Sequence, residues 1–233
     1  MDPQLASLAD VIEQTNERLT QSDQPLQVWP TGFPLLDQAL AGGVRAGSLT
    51  LLAGGQGLGK TTMALQMARN SAVAGRSVVY FSYEHDPVVM LERLVALEAG
   101  ELVEHDAPKL DRIRASFEGA DGRSGSLQDR LADTSSGVPG FMRVQMYADR
   151  LHVHRSTGTS TTLAVITAAV EEVWGDTGEA PLVIVDYLQK VRIPEAAQMV
   201  EDERITLVVE GLKDLAIDAG VPVLAIVAAD KDG

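Results

Sequence analysis

Residues Gly54-Gly55-Gln56-Gly57-Leu58-Gly59-Lys60-Thr61 satisfy the pattern G-x-x-x-x-G-K-S/T at every fixed position. Such a loop wraps a triphosphate with successive backbone N–H groups, and a Cβ at the tightest points would block that approach. A helix that begins near Lys60 would direct the positive end of its dipole at the phosphates. We therefore expect Lys60 to reach the β- and γ-phosphates and the Thr61 hydroxyl to ligate Mg²⁺. The alternative is a glycine-rich turn with a chance Lys-Thr pair, which the flanking strand and helix disfavour.

Apolar strands alternate with helical segments on both sides of this loop. The predicted strands are 49–53, 77–82, 151–154, 181–186 and 221–227, and the predicted helices are 61–74, 87–101, 161–174 and 205–219. Strands that are apolar on both faces and separated by helices are typical of a parallel sheet. The pattern therefore predicts an α/β domain with a mostly parallel sheet and helices on both faces.

The chain has 233 residues, and its 19 Lys and Arg against 33 Asp and Glu give a net charge of −14. This length suits one large α/β domain or two small ones. The sequence has no apolar run of about 18 residues and no signal-peptide pattern, so we expect a cytoplasmic protein that does not enter a membrane. The lack of cysteine excludes a disulfide framework and a thiol nucleophile. The acidic total excludes a uniformly basic nucleic-acid binder but cannot reveal local basic patches.

Asp186 is the first polar residue after the apolar run 182–185, and it is the candidate for a second carboxylate that holds Mg²⁺. A charge at the end of a strand buried on both faces is costly unless it has a cationic partner. The alternative is an Asp that only caps the following turn.

Glu84 ends the second apolar strand, which we extend to residues 78–84. The carboxyl edge of a parallel sheet is where ligands bind in such folds, so Glu84 is the candidate to orient or deprotonate the attacking water. The alternative is an acid at the N-terminus of the helix that starts at Pro87.

Three segments do not follow the alternation of strand and helix. An N-terminal helix is predicted by apolar residues at helical spacing, and it either folds onto its own domain or docks on a neighbouring subunit. These apolar residues are Leu5, Leu8, Val11, Ile12 and Leu19. The region 119–140 is rich in Gly and Ser and predicts a surface loop with one short helix around 127–131. The region 190–203 mixes basic residues, Pro194 and acids, and is a second candidate mobile loop.

Five short motifs occur together in this sequence. They are Pro30-Thr31-Gly32-Phe33, the glycine loop followed by Thr62, Phe81-Ser82-Tyr83-Glu84, Asp186-Tyr187-Leu188-Gln189, and Gly220-Val221-Pro222-Val223. Together they resemble the C-terminal ATPase domain of DnaB-type replicative helicases over residues 31–227. The most diagnostic part is Tyr-Leu-Gln after Asp186, because this tripeptide is not generic.

The resemblance implies a RecA-like P-loop NTPase core over residues 29–233, preceded by a helix and linker over 1–28. It also implies a homo-hexameric ring and ATP-driven translocation on single-stranded DNA. Glu84 and Lys60 would be catalytic, and Thr61 and Asp186 would hold Mg²⁺. The ATP-binding residues would be Gly54, Gly55, Gln56, Gly57, Leu58, Gly59, Lys60, Thr61 and Thr62. The phosphate contacts of a central-channel DNA loop would be Lys190, Arg192 and Arg204.

The chain also departs from this family. Only 30 residues precede Thr31, so we expect that the family's amino-terminal helical domain is missing. Ala228 stands where the family usually has the Ser-Gln whose Gln senses the γ-phosphate, and the sequence then stops at Gly233. We therefore expect a core without its C-terminal strands that hydrolyses ATP slowly. Two alternatives stay open: a RecA- or KaiC-like regulatory or recombination ATPase without unwinding activity, and a nucleotide-binding interaction module.

Overall fold

A computed structural model of the chain describes residues 6–20, 28–103, 105–119, 124–196 and 198–228. Its strands are β1 (Val28–Trp29), β2 (Val44–Arg45), β3 (Leu49–Gly54), β4 (Val78–Ser82), β5 (Leu151–Arg155), β6 (Leu182–Asp186) and β7 (Val223–Ala228). Its helices are α1 (Leu8–Thr20), α2 (Pro34–Ala39), α3 (Lys60–Val73), α4 (Pro87–Glu101), α5 (Leu110–Glu118), α6 (Leu127–Leu131), α7 (Gly137–Gln145), α8 (Leu163–Thr177) and α9 (Glu201–Ala219). Leu5, Asp230 and Lys231 lie outside the described residues.

Five of the strands form one sheet in the order β3-β7-β6-β4-β5. Every neighbouring pair in this sheet is parallel, so the carboxyl ends of the strands lie along one edge. The predicted α/β class and parallel sheet are confirmed, and each predicted strand is present with its ends shifted by at most two residues. β1 and β2 form a separate antiparallel pair.

The sheet is covered on both faces because successive side chains of a strand point to opposite sides. In β4, Val78 and Tyr80 pack into one apolar cluster with α3 and α4, whereas Val79 and Phe81 pack into a second cluster with α8 and α9. β6 and β7 alternate between the two clusters in the same way. Every residue of β4 and β6 is buried, which explains why both strands are apolar up to their last residues, Ser82 and Asp186.

Several predicted segment ends are shifted, and two of the shifts bear on the candidate site. β4 ends at Ser82, so Glu84 lies in the bend after the strand and is not its last residue. α9 begins at Glu201 and not at Ile205, so the end of the second predicted loop belongs to a helix. The three acids in the first turn of α9 favour this earlier start, because negative side chains interact favourably with the N-terminal end of a helix dipole.

The glycine- and serine-rich region 119–140 is not simply a loop. It contains the short helix α6, as predicted, but also the start of α7, which packs closely against α4. A Cβ built on Gly140 would lie 2.7 Å from the backbone nitrogen of Ala99. The glycine therefore permits a close approach of two helices, a role that local composition does not reveal.

α1 presents apolar side chains to solvent. Leu8, Ile12 and Leu19 are 80%, 60% and 73% exposed. Because residues four and seven positions apart share one face of a helix, these three side chains form a stripe, which we call the α1 stripe. Among the described residues, no helix combines the length and apolar character that crossing a bilayer requires.

Gly140→Ala should lower the free energy of unfolding by about 1–3 kcal/mol, because the new methyl group cannot fit against the Ala99 backbone unless α7 moves. The matched control is Gly175→Ala, since Gly175 is exposed within α8 and a built Cβ there meets nothing within 4 Å. This control should be stabilised by about 0.5–1 kcal/mol. Urea denaturation of both variants measures the effect, and a Gly140→Ala variant as stable as the wild type would contradict the packing argument.

Candidate nucleotide-binding site

The loop between β3 and α3 has the backbone conformation of an anion cradle. Gly57 and Gly59 have φ angles of 82° and 84°, in the left-handed region that other residues rarely adopt. Gly59 is also the N-cap of α3, and it has no side chain that could cap the first turn. The N–H groups at this helix N-terminus are consequently available to an anionic ligand.

Lys60 is buried beside this cradle. Its Nζ donates hydrogen bonds of 2.7 and 2.8 Å to the carbonyl oxygens of Gly54 and Gly55. The same Nζ lies 5.9 Å from the centroid of the Tyr187 ring. The loop's own carbonyl groups therefore fix the ammonium charge next to the N–H groups that would face a phosphate.

Asp186, the last residue of β6, is fully buried. Its Oδ2 accepts a 2.8 Å hydrogen bond from the Tyr80 hydroxyl, whereas its Oδ1 accepts none from the described residues. Burial raises the pKa of this carboxyl group, and interactions with the Tyr80 and Thr61 hydroxyls oppose the shift. A buried carboxylate oxygen without a partner, close to a threonine hydroxyl, fits a hard divalent cation.

No group of three or more acidic, His or Cys side chains in the described ranges is arranged to hold a metal ion. In nucleotide sites, Mg²⁺ commonly binds one or two carboxylates and takes further ligands from the phosphates and from water. Thr61 and Asp186 are therefore suited to a metal ion that arrives with a nucleotide.

Glu84 is brought next to Asp186 by the pairing of β4 with β6. The backbone nitrogen of Tyr83 donates a 2.9 Å hydrogen bond to the Asp186 carbonyl oxygen just beyond the paired strands. The Glu84 side chain is 42% exposed, and its Oε2 accepts a 2.8 Å hydrogen bond from the Tyr187 hydroxyl. Desolvation, together with the Glu84 charge, raises the pKa of Tyr187 to about 12, so this hydroxyl keeps its proton at neutral pH.

His85 lies beside Glu84, and its Nε2 is 3.9 Å from Glu84 Oε2. Burial and the charge of Arg93 lower the pKa of His85 below its ordinary value of 6.5. The imidazole ring is therefore mainly uncharged at neutral pH, so it does not form an ion pair with the Glu84 carboxylate despite lying close to it.

Tyr187 and Gln189 belong to the site, although sequence reasoning assigned them no role. Because β6 lies between β4 and β7, side chains that follow it can reach the ends of both neighbours. Tyr187 reaches Glu84, whereas Gln189 Nε2 donates to the Ala228 carbonyl oxygen at 2.8 Å and its Oε1 accepts from Ala228 N at 3.4 Å. The sequence does show that Tyr187 and Gln189 closely follow Asp186 at the end of a strand. Their hydrogen-bond partners, however, depend on the order of the strands in the sheet.

Lys190, Arg192 and Arg204 line one cleft, with a volume of about 390 Å³, beside the segment that joins β6 to α9. All three residues are exposed, and Glu201 also lines the cleft. Arg192 is partly engaged, because its guanidinium group donates a hydrogen bond to the carbonyl oxygen of Thr159. The structure therefore brings the three predicted basic residues together at one surface, which we call the basic cleft.

A glycine cradle at the carboxyl edge of such a sheet is typical of a P-loop nucleotide-binding domain. The predicted RecA-like fold is confirmed by the likeness to solved DnaB-like ATPase domains. Residues 29–231 match the family model described as the DnaB-like helicase C terminal domain. The chain belongs to this family, and the family resemblance of its motifs is confirmed.

Individual relatives differ in how much of the chain they match. The replicative DNA helicase DnaB of Rhodothermus marinus is 28% identical over 229 residues, which cover 94% of this chain and 21% of that protein. The DNA repair protein RadA of Mycolicibacterium smegmatis is 48% identical over 56 residues, which cover 24% of this chain and 12% of that protein. A DnaB-like replicative helicase solved with its interactions with primase has a TM-score of 0.74 and 19% identity, over 97% of this chain and 50% of that chain. The aligned segments therefore make up 12% of the length of the RadA relative and 21% of the length of the DnaB relative.

Asp186→Asn should stabilise the nucleotide-free chain at pH 7 by about 1–3 kcal/mol, because it removes a buried charge and can still accept the Tyr80 hydrogen bond. The raised pKa of Asp186 means that its contribution to stability is present below its ordinary pKa and is lost as the pH rises through the raised value. The advantage of Asn should therefore shrink as the pH falls.

Urea midpoints at pH 7 and at lower pH measure this difference, with the exposed Asp214→Asn as the control. A urea midpoint for Asp186→Asn below that of the wild type at pH 7 would contradict the prediction, because it would show that the wild-type protein already compensates the buried charge of Asp186.

Proposed function

We propose that this domain binds ATP with Mg²⁺ and hydrolyses it, and that the whole protein couples hydrolysis to translocation on single-stranded DNA as a DnaB-like replicative helicase. The observation that carries this proposal is the buried Asp186 carboxylate, with its unpartnered Oδ1, near Thr61 at the glycine cradle. A domain that bound only a phosphate anion would need the cradle, but it would gain nothing from a buried charge that is costly to keep.

The proposed nucleotide contacts follow from the chemistry of each group. The backbone N–H groups that wrap the triphosphate belong to Gly54, Gly55, Gln56, Gly57, Leu58, Gly59, Lys60, Thr61 and Thr62. The Lys60 ammonium would exchange its two carbonyl partners for oxygens of the β- and γ-phosphates. Thr61 and Asp186 would hold Mg²⁺, which when bound neutralises negative charge on the phosphates.

Glu84 is the proposed general base. It follows β4 at the carboxyl edge of the sheet, and its side chain is 42% exposed, so water can reach the carboxylate. A carboxylate within hydrogen-bond distance of a water molecule near the γ-phosphate can orient that water and accept its proton.

The basic cleft is the proposed contact with single-stranded DNA. Lys190, Arg192 and Arg204 can neutralise backbone phosphates locally, although the whole chain carries a net charge of −14. This cleft includes Gln189, so it begins three residues after the proposed metal ligand Asp186.

Self-association into a hexameric ring is supported by the α1 stripe, because an exposed apolar stripe on a helix is suited to burial against another subunit. β3 lies at an edge of the sheet, and its Leu51 is 48% exposed. Within the described residues no strand pairs with the outer side of β3, which supports the proposal that the core over residues 29–233 lacks its C-terminal strands. The division at residue 28 and a cytoplasmic location stay predictions.

A RecA- or KaiC-like ATPase that switches an assembly without unwinding DNA is the second candidate. The 48% identity with a DNA repair protein RadA favours it, but this match covers 24% of the chain, whereas the DnaB match covers 94%. A strand-displacement assay of the full-length protein on a forked duplex separates the two candidates. ATP-dependent displacement is expected only of the helicase.

Lys60→Ala should weaken binding of a Mg²⁺-bound ATP analogue at least about tenfold, because hydrogen bonds to charged groups contribute about 1.5–3 kcal/mol. Glu84→Gln should leave this affinity unchanged and lower the hydrolysis rate about 100-fold or more, because an amide cannot accept the proton. Analogue titration and phosphate release measure the two effects, with the exposed Lys109→Ala as the control. Unchanged hydrolysis in Glu84→Gln would assign the base to another residue.

Lys190→Ala and Arg204→Ala should each weaken binding of single-stranded DNA and reduce the slope of log K against log salt by about 0.7. Fluorescence anisotropy with an oligothymidylate, in an ATP analogue at about 50 to 200 mM salt, measures this slope. The control is Arg150→Ala, because Arg150 is paired with Asp149 at 3.3 Å and lies outside the basic cleft. A wild-type slope in both test variants would remove these residues from the DNA contact.

A further inference from the structure

Tyr187 lies among the groups that the proposed reaction uses. It follows Asp186 directly, its hydroxyl donates to Glu84 Oε2 at 2.8 Å, and its ring centroid is 5.9 Å from Lys60 Nζ. We propose that Tyr187 is a positioning residue that holds the Glu84 carboxylate in the orientation in which it accepts a proton from the attacking water. This inference rests on the proposed ATP hydrolysis and deepens it.

The segment that carries Tyr187 is anchored on its C-terminal side. Leu188 is fully buried, and residues Leu188–Lys190 form a 3₁₀ turn. Gln189 binds both the carbonyl oxygen and the nitrogen of Ala228, at the end of β7. These contacts fix the backbone next to Tyr187, so its hydroxyl is presented from a well-defined position.

Glu84 has less support of its own. It lies in the bend after β4 with its side chain 42% exposed, although the hydrogen bond from Tyr83 N to the Asp186 carbonyl oxygen ties the nearby backbone to β6. A half-exposed glutamate samples several rotamers, and a productive geometry requires one of them. The Tyr187 hydroxyl comes from the segment that follows the neighbouring strand β6, and its hydrogen bond favours one rotamer of Glu84.

The hydrogen bond gives the two carboxylate oxygens of Glu84 different roles. Oε2 is occupied by the Tyr187 hydroxyl, which leaves Oε1 to accept a proton. In the reaction, the water oxygen bonds to the γ-phosphorus, the bond from that phosphorus to the β–γ bridging oxygen breaks, and ADP leaves with the electron pair. The water proton passes to Glu84 Oε1 and from there to phosphate or solvent.

Tyr187→Phe tests this role, because it removes the hydroxyl and keeps the ring against Lys60. We expect kcat for ATP hydrolysis to fall about 10- to 100-fold, the effect of one hydrogen bond to a charged group, with KM and analogue affinity unchanged. Tyr187→Leu removes the ring as well, so it should also weaken analogue binding about 2- to 5-fold. The matched control is Tyr83→Phe, whose lost hydroxyl bonds to the Thr161 carbonyl oxygen at 3.4 Å, and its kcat should equal that of the wild type.

A double variant shows whether Tyr187 acts through Glu84. In the Glu84→Gln background, Tyr187→Phe should cause no further loss of hydrolysis, because the group that it positions no longer accepts a proton. Circular dichroism and analogue binding verify that each variant is folded. A Tyr187→Phe kcat equal to or above the wild-type value, or a loss that adds fully to that of Glu84→Gln, would overturn the positioning role.

The same assays separate this inference from the proposed function. If the wild-type protein binds the ATP analogue but does not hydrolyse ATP, the proposed function fails and the role of Tyr187 fails with it. If the wild type hydrolyses ATP and Lys60→Ala does not, the proposed function stands, and kcat of Tyr187→Phe alone decides the inference.

Discussion

The burial of the Asp186 carboxylate is the constraint on which the arrangement of the site depends. Tyr80 donates to one of its oxygens, and burial raises the pKa of the group because the charged form lacks solvation. A cation at Oδ1 would compensate the buried charge, and a ligand that binds only the folded state stabilises that state. Burial of the Asp186 charge therefore destabilises the ligand-free chain, and binding of a metal ion with nucleotide would offset this destabilisation.

The strand order determines which groups meet this carboxylate. The glycine cradle follows β3, which is separated from β6 by β7. α3 nevertheless packs across the sheet against β6, and it brings Thr61 towards Asp186. β4 is adjacent to β6 on the other side and places Glu84 there. Residues from three separate parts of the sequence consequently meet at one edge of the sheet.

Local patterns were sufficient to predict the buried strands, since the apolar runs of β4 and β6 are buried as expected. Motif spacing and position after a strand also singled out Lys60, Thr61 and Asp186, and the structure places them near one another at the glycine cradle. Their roles stay predictions. The contacts of Tyr187 and Gln189 were not predictable in this way, because they depend on β6 lying between β4 and β7. The role of Gly140, which the sequence placed in a loop, also depends on a contact distant in sequence, namely the close approach of α7 to the backbone of Ala99.

The net charge of −14 and the cations of the basic cleft would affect a DNA phosphate at different distances from the protein surface. At physiological ionic strength the Debye length is about 8 Å, so repulsion between the distributed acids and a DNA phosphate is largely screened beyond that range. Within contact distance the nearest charges dominate, and three of the residues that line the cleft are cations against the single acid Glu201. The acidic total therefore does not by itself exclude the DNA contact proposed at this cleft. The proposed contact would consequently depend on the few cations that line the cleft, because the rest of the chain is acidic on balance.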